Sequence, residues 1–137
     1  MHMKLITYTD GGARGNPGPA AAGIVVKNDS EIIAAFGTYL GETTNNVAEY
    51  TAVILALEKC KTLGATEVEM RLDSELVVKQ MNGQYKVKAA NLAPLHLQIH
   101  NLKTHFKKVT FRHVRREQNT EADAEVNTAI DAHLKRG

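Results

Sequence analysis

The sequence predicts an α/β fold in which a five-stranded mixed sheet is flanked by α-helices. Three observations point there. Strand-like and helix-like segments follow one another in the order βββ-α-β-α-α-β-α. Such an order places an antiparallel hairpin at one side of a sheet that continues through helical crossovers. The strand segments alternate apolar with polar residues, whereas the helical ones repeat their apolar residues every three or four positions. At 137 residues the chain has the length of one domain, 1–137, able to bury roughly two thirds of the surface it exposes unfolded.

Each element has its own signal. Met1-His2-Met3 reads as a start followed by an appended remnant and is set aside. "KLITYT" at 4–9 alternates as a strand and is followed by Asp10 and a glycine-rich, proline-containing stretch, "GGARGNPG". "AAAGIVVKN" and "EIIAAFGTYL" flank the turn "DSE" and predict a hairpin. "TTNNVAEYTAVILALEKCKTLGA" opens with capping residues, is apolar almost all round, and stops at Gly64, which is the pattern of a buried helix. Val68, Met70 and Leu72 alternate with charged residues in a short fourth strand that ends in acid. A helix "SELVVKQMNG" closes at Asn82-Gly83, and Leu92, Leu95, Ile99, Leu102 and Phe106 mark an amphipathic helix over 91–106 with Pro94 near its first turn, where proline is tolerated. "KKVTFRHV" is a last strand and "EADAEVNTAIDAHLKR" a last helix.

Composition narrows the classes. No apolar run approaches the roughly 20 residues of a membrane span, and no signal leader opens the chain, so a soluble cytoplasmic protein with no membrane partner is expected. Cys60 is the single cysteine, which excludes a disulfide framework and reads as a helix residue against the core. Net charge is only +2, but Leu76 to Arg116 contains no Asp or Glu and holds nine of the 17 Lys and Arg. That segregation is the footprint of a polyanion-binding surface, or of a solvated basic face. His96, His100 and His105 stand at helical spacing without a carboxylate or cysteine nearby in sequence, and read as surface histidines.

Four acids fall at pointed places. Asp10 ends the first strand and Asp73 the fourth; Glu49 lies in the first turn of the buried helix and Asp123 in that of the last. Ligand sites in open α/β sheets form beyond the carboxyl ends of the strands. Each acid also has a structural account: turn chemistry for Asp10-Gly11, a capping box for Asn46-Val-Ala-Glu49, a cap for Asp73, and a favourable helix-end charge for Asp123. Gathered together, ionised carboxylates repel, and hard divalent cations with oxygen ligands relieve that repulsion.

"TDGGARGNPGPAAAG", "TTNNVAEY", "RLDSELVVKQMNG" and "HVRREQNTEADAEVN" resemble the four signature segments of type 1 ribonuclease H, in order and in spacing, over residues 4–134. The resemblance implies the ribonuclease H-like sheet and cleavage of the RNA strand of RNA–DNA hybrids, leaving 5′-phosphate and 3′-hydroxyl ends. It implies that Asp10, Glu49, Asp73 and Asp123 are catalytic and hold two Mg²⁺ ions, with Mn²⁺ able to substitute. It further assigns the 2′-hydroxyl contact to backbone at Gly11 and Gly12 and to Glu49, base and sugar contacts to Asn16, Asn45 and Asn46, and a DNA phosphate to Thr44. On this reading, glycines 11, 12, 15 and 18 let a sugar-phosphate chain approach the backbone closely.

The sequence departs from the family pattern in four places. Val47 stands where many members carry arginine, and Glu75 where glutamine is common. The basic insertion after "KQMNG" is missing, which marks a compact form; Lys86, Lys88, Arg112, Arg115 and Arg116 are the cations available to replace it. No histidine stands in the loop before Asp123, and Arg115 or Arg116 is expected to fill its role. Two alternatives are a non-catalytic nucleic-acid-binding module of the same fold and a nuclease that also cuts double-stranded RNA. A monomer is the expected state.

Overall fold

The computed structural model describes residues 2–136. Strands β1 (Lys4–Ala13), β2 (Gly18–Asn28) and β3 (Glu31–Thr43) come first, then helix α1 (Asn45–Thr62), strand β4 (Glu67–Leu72), helices α2 (Glu75–Met81) and α3 (Ala93–Lys103), strand β5 (Lys108–His113) and helix α4 (Thr120–Arg136). The five strands form one mixed sheet of order β3-β2-β1-β4-β5. β2 is antiparallel to β1 and β3, whereas β4 is parallel to both β1 and β5. The predicted architecture and element order are present.

Local chemistry explains the ends of the elements. The β2–β3 turn is tight because Asp29 takes a left-handed conformation (φ 55°), which an aspartate side chain tolerates. Thr44 caps α1, its hydroxyl accepting from the Val47 N–H at 3.2 Å. Ser74 caps α2 in the same way through the Val77 N–H at 3.3 Å. Gly83, at φ +76°, lies just past the end of α2, as its place after Asn82 predicts.

α1 packs on one sheet face, where Tyr50, Val53 and Leu57 meet Leu5, Ile24, Val26 and Met70 in the main core. Cys60 is fully buried there, and burial pushes its thiol up to about 12. α4 packs on the other face through Val126 and Ile130 against Ala21.

Four expectations need correction. β1 does not end at Asp10: Gly11, Gly12 and Ala13 stay paired with Ala22, Ala21 and Ala20, because glycines facing small alanines continue a ladder as readily as they turn. α1 begins at Asn45 behind the Thr44 cap, so Glu49 opens its second turn and the Asn46–Glu49 capping box does not form. α3 is shorter than 91–106; the Thr104 hydroxyl donates back to the Asn101 carbonyl (2.6 Å) and closes the last turn, leaving buried Phe106 beyond the helix. Met1 lies outside the described residues, but Met3 belongs to the fold. Its carbonyl accepts from the Thr66 and Glu67 N–H groups at 2.9 and 3.1 Å, and its side chain packs on the core.

Residues 82–92 contain no helix, so the compact connection read from the sequence is the one observed. Among the described residues, no helix is long and apolar enough to cross a membrane.

Candidate active site

The site forms where β1 outruns its parallel neighbour. The last β1–β4 pair is Thr9 with Leu72, so Asp10 and Asp73 emerge side by side just past the end of β4. Asp10 is still paired with Gly23 of β2, and directly opposed residues share a sheet face.

Two glycines let the helices reach it. A Cβ on Gly23 would overlap the Ala122 carbonyl oxygen, so α4 presses its first turn on the strand at this spot and carries Asp123 to Asp10. Gly37, opposite Gly23 on β3, accommodates the Glu125 carbonyl in the same manner. On the other face, a Cβ on Gly11 would overlap the backbone of Ala48 and Glu49, so α1 lies against β1 there and delivers Glu49. The carboxylates therefore approach Asp10 from both sides of the sheet because its chain neighbour and its cross-strand neighbour lack side chains.

The glycines have structural uses beside the expected one. Gly11 packs against α1 where a Cβ would stand, and it still lines two clefts beside Asp10. Gly18 would strike the Arg14 carbonyl, and Gly15 supplies a positive φ of 92°, so both serve the β1–β2 turn. Only Gly12 leaves room, with Val126 Cγ1 at 3.7 Å from an added Cβ.

Two adjoining clefts, of about 220 and 360 Å³, share Asp10, Asn45, Asp73 and Arg116; Asp123 lines the first and Glu49 the second. Burial, then the charge of Asp73, a hydrogen bond with Asp123 and the charges of Asp123 and Glu49 together push the Asp10 carboxyl up to about 8. Glu49 is pushed up to about 7, by burial first and by Asp73, against a hydrogen bond with Ser74 that pulls it down. A carboxyl pushed this far up by burial and by neighbouring acids belongs to a site short of positive charge. Among the described residues, no three His, Cys, Asp or Glu side chains stand close enough together to form a ready ligand cage. The donor set is all oxygen, which suits Mg²⁺ or Mn²⁺ and not a soft metal.

The other predicted site residues divide. Asn45 lines both clefts, while its Oδ1 accepts from the Ala13 N–H (2.8 Å) and its own N–H donates to Asn16 Oδ1 (3.1 Å). Asn16 and Asn45 therefore lock the β1–β2 turn to the start of α1. Thr44 is engaged as the α1 cap, and Asn46 is exposed beside it. Arg116 lines both clefts, whereas Arg115 lines neither. Arg112 lies 3.7 Å from Glu69 instead. His96 and His100 line a separate groove between α2 and α3, apart from the acids. Val47 packs against the main core.

Three supporting residues escaped the sequence reading. Ser74 touches Glu49. Asn127 donates to Asp123 Oδ2 at 3.4 Å. Asn119 donates to both the Thr9 carbonyl (2.9 Å) and Asp73 Oδ2 (3.3 Å). The i, i+4 spacing of Asp123 and Asn127 was the one available signal.

A mixed sheet of this order, with acids from β1, the end of β4, α1 and α4 lining adjoining clefts beyond β4, defines a ribonuclease H-type domain. The family described as "Reverse transcriptase-like" matches residues 8–129, and the chain belongs to it, in the type 1 ribonuclease H branch. It is 44% identical over 132 residues to a bifunctional protein of Mycobacterium tuberculosis, covering 95% of this chain and 36% of that one. It is 42% identical over 129 residues to ribonuclease HI of Halobacterium salinarum, covering 93% and 65%. The solved structure of LC11-RNase H1 in complex with RNA/DNA hybrid superposes with a TM-score of 0.91 at 47% identity, covering 95% of this chain and 99% of that one. The chain thus spans little more than a third of the mycobacterial relative's length.

Proposed function

We propose that residues 1–137 form a single ribonuclease H domain, a monomeric cytoplasmic endonuclease that hydrolyses the RNA strand of RNA–DNA hybrids with two divalent cations. The observation that carries this reading is the Asp10 carboxyl, pushed up to about 8 by burial and by Asp73, Asp123 and Glu49. Burying Asp10 and Glu49 beside further carboxylates costs stability, and an acid cluster of this kind has a use when cations and a phosphate enter. Similarity to a relative solved with RNA/DNA hybrid points to the substrate.

Asp10 and Asp73 are the acids that line both clefts, and Asp10 would be the carboxylate shared by the two cations. Glu49 and Asp73 would hold the cation on the leaving-group side, and Asp123 the one on the side of the attacking water. When bound, the cations would neutralise the phosphate, make water more acidic and stabilise the departing oxygen. The chain's own task is positioning. Asn127 orients Asp123, Ser74 holds Glu49, and Arg116 supplies the one guanidinium common to both clefts. Water as nucleophile leaves 5′-phosphate and 3′-hydroxyl ends. Backbone at Gly11 and Gly12, which line the cleft beside Asp10, is placed for a 2′-hydroxyl, the group that separates RNA from DNA.

The test is a panel of labelled RNA–DNA hybrid, duplex RNA, duplex DNA and single strands, each with Mg²⁺, Mn²⁺ or EDTA. Hybrid cleavage that requires a divalent ion and yields 3′-hydroxyl ends supports the reading. Cleavage in EDTA, or 2′,3′-cyclic phosphate ends, sinks it. Binding of hybrid without cleavage in any cation identifies a non-catalytic module, and the duplex RNA lane decides the breadth of substrate.

A further inference from the structure

We infer that Asn119 is a positioning residue that fixes the Asp73 carboxylate against the end of β1 for divalent-cation binding. Asn119 immediately precedes α4 and is 1% exposed. A side-chain amide carries two N–H donors, and here both are used, one on the Thr9 carbonyl at 2.9 Å and one on Asp73 Oδ2 at 3.3 Å. With two acceptors facing it, the amide must present its nitrogen to them. The backbone of the same residue accepts from the Asp123 N–H at 3.1 Å. One side chain and its carbonyl thereby tie together the residue before Asp10, the carboxylate of Asp73 and the turn that carries Asp123.

Asn119 Oδ1 is the one fully buried side-chain polar atom without a hydrogen-bond partner among the described residues. Buried polar atoms are normally paired. A fold that leaves this acceptor unpaired, when an apolar residue would leave no such debt, is keeping the amide for its two donors. The bond to Asp73 also distinguishes its two oxygens: Oδ2 is held, and Oδ1 is unconstrained by this contact. Such outer partners of ligating carboxylates orient the ligand, and their loss commonly weakens cation binding by about 10–100-fold.

The inference rests on the cation-dependent reading above, and its test separates the two. Mn²⁺ is titrated calorimetrically into wild type and Asn119→Ala, and turnover on hybrid is followed against Mn²⁺ concentration, with folding checked by thermal melts. The expected result is a Mn²⁺ affinity about 10-fold weaker and a half-saturating Mn²⁺ concentration raised to match. Hybrid KM should be unchanged, with maximal turnover largely restored at high Mn²⁺. General damage to the fold would lower maximal turnover without moving the half-saturating concentration. That pattern, or equal calorimetric affinities, overturns the role assigned to Asn119. A wild type that binds no Mn²⁺ overturns the functional reading instead. Should Asn119→Ala fail to fold, Asn119→Ser, whose hydroxyl is too short to span both acceptors, is judged by the same two measurements.

Discussion

Replacing Asp10 by asparagine should stabilise the cation-free protein while abolishing its activity, and the size of the gain follows from the titration of that one carboxyl. Its ordinary value is 3.8, and in the fold it is pushed up to about 8. Between those values the folded state retains a proton that the unfolded chain has released, so stability falls as pH rises through this window. The limiting slope is about 1.4 kcal/mol per pH unit, which from pH 4 to pH 7 amounts to about 4 kcal/mol. Solvent reaches this cleft and the carboxylates can spread, which reduces the figure to roughly 2 kcal/mol. Asparagine has the same shape and cannot ionise. In EDTA at pH 8, Asp10→Asn should therefore melt about 7 °C above wild type, given about 2.1 cal/mol/K of unfolding entropy per residue. At pH 4.5 the two curves should nearly coincide. Glu49, pushed up to about 7, leaves the variant a shallower slope of the same sign below neutrality. Addition of Mg²⁺ should raise the wild-type melting temperature and leave that of the variant nearly unchanged. Calorimetric melts across pH in EDTA measure all of this. A wild-type profile that is flat from pH 5 to 8, or a variant as pH-sensitive as wild type, would refute the reasoning.

The remaining predictions use the same structure. Gly11→Ala would drive a Cβ into the α1 backbone and should cost at least about 3 kcal/mol in denaturant melts, whereas Gly12→Ala, with 3.7 Å of room, should keep wild-type stability. If Gly12→Ala nevertheless raises KM for hybrid, substrate backbone approaches at that glycine. Arg116→Ala should lower kcat/KM on hybrid by roughly 10-fold or more, a loss of at least about 1.4 kcal/mol in transition-state binding, and Arg115→Ala should stay within about 2-fold; equal effects would undo the distinction drawn from the clefts. Cys60, fully buried with its thiol pushed up to about 12, should react with a thiol reagent only at the rate of unfolding, as a time course with and without denaturant would reveal.

Elements were legible in the sequence where periodicity and caps agree. α1 has an apolar run behind Thr44, α2 has Ser74 before it and Asn82-Gly83 after it, and β4 alternates residue by residue, so sequence and structure coincide to within a residue or two. Legibility failed where the deciding partner is distant. Gly11-Gly12 reads as a turn when taken alone, and only the alanines Ala21 and Ala22 across β2 make it strand. The apolar spacing of α3 continues to Phe106, but a local bond from Thr104 to Asn101 ends the helix earlier.

The site divides along the same line. The four acids could be read because each carries its chemistry in its own side chain and sits near the end of an element. What aims them could not, because it resides in residues that look ordinary in sequence. Gly23 lies in "AAAGIVV", where it passes for a weak strand residue, yet its missing Cβ is the space that α4 occupies to bring Asp123 to Asp10. Asn119 stands just before a helix, where asparagine is the expected cap, yet its side chain reaches the Thr9 carbonyl 110 positions away. Geometry around a charged centre is thus set by absences and by long-range donors. That is why Gly23→Ala, which removes no charge and no hydrogen bond, should still separate Asp123 from Asp10. The loss would show in cation-free titrations, where Asp10 falls below about 8 as its hydrogen bond and charge coupling with Asp123 weaken, while burial and Asp73 still hold it above 3.8. An Asp10 that still titrates near 8 in that variant would mean α4 is positioned by something other than the bare strand beneath it.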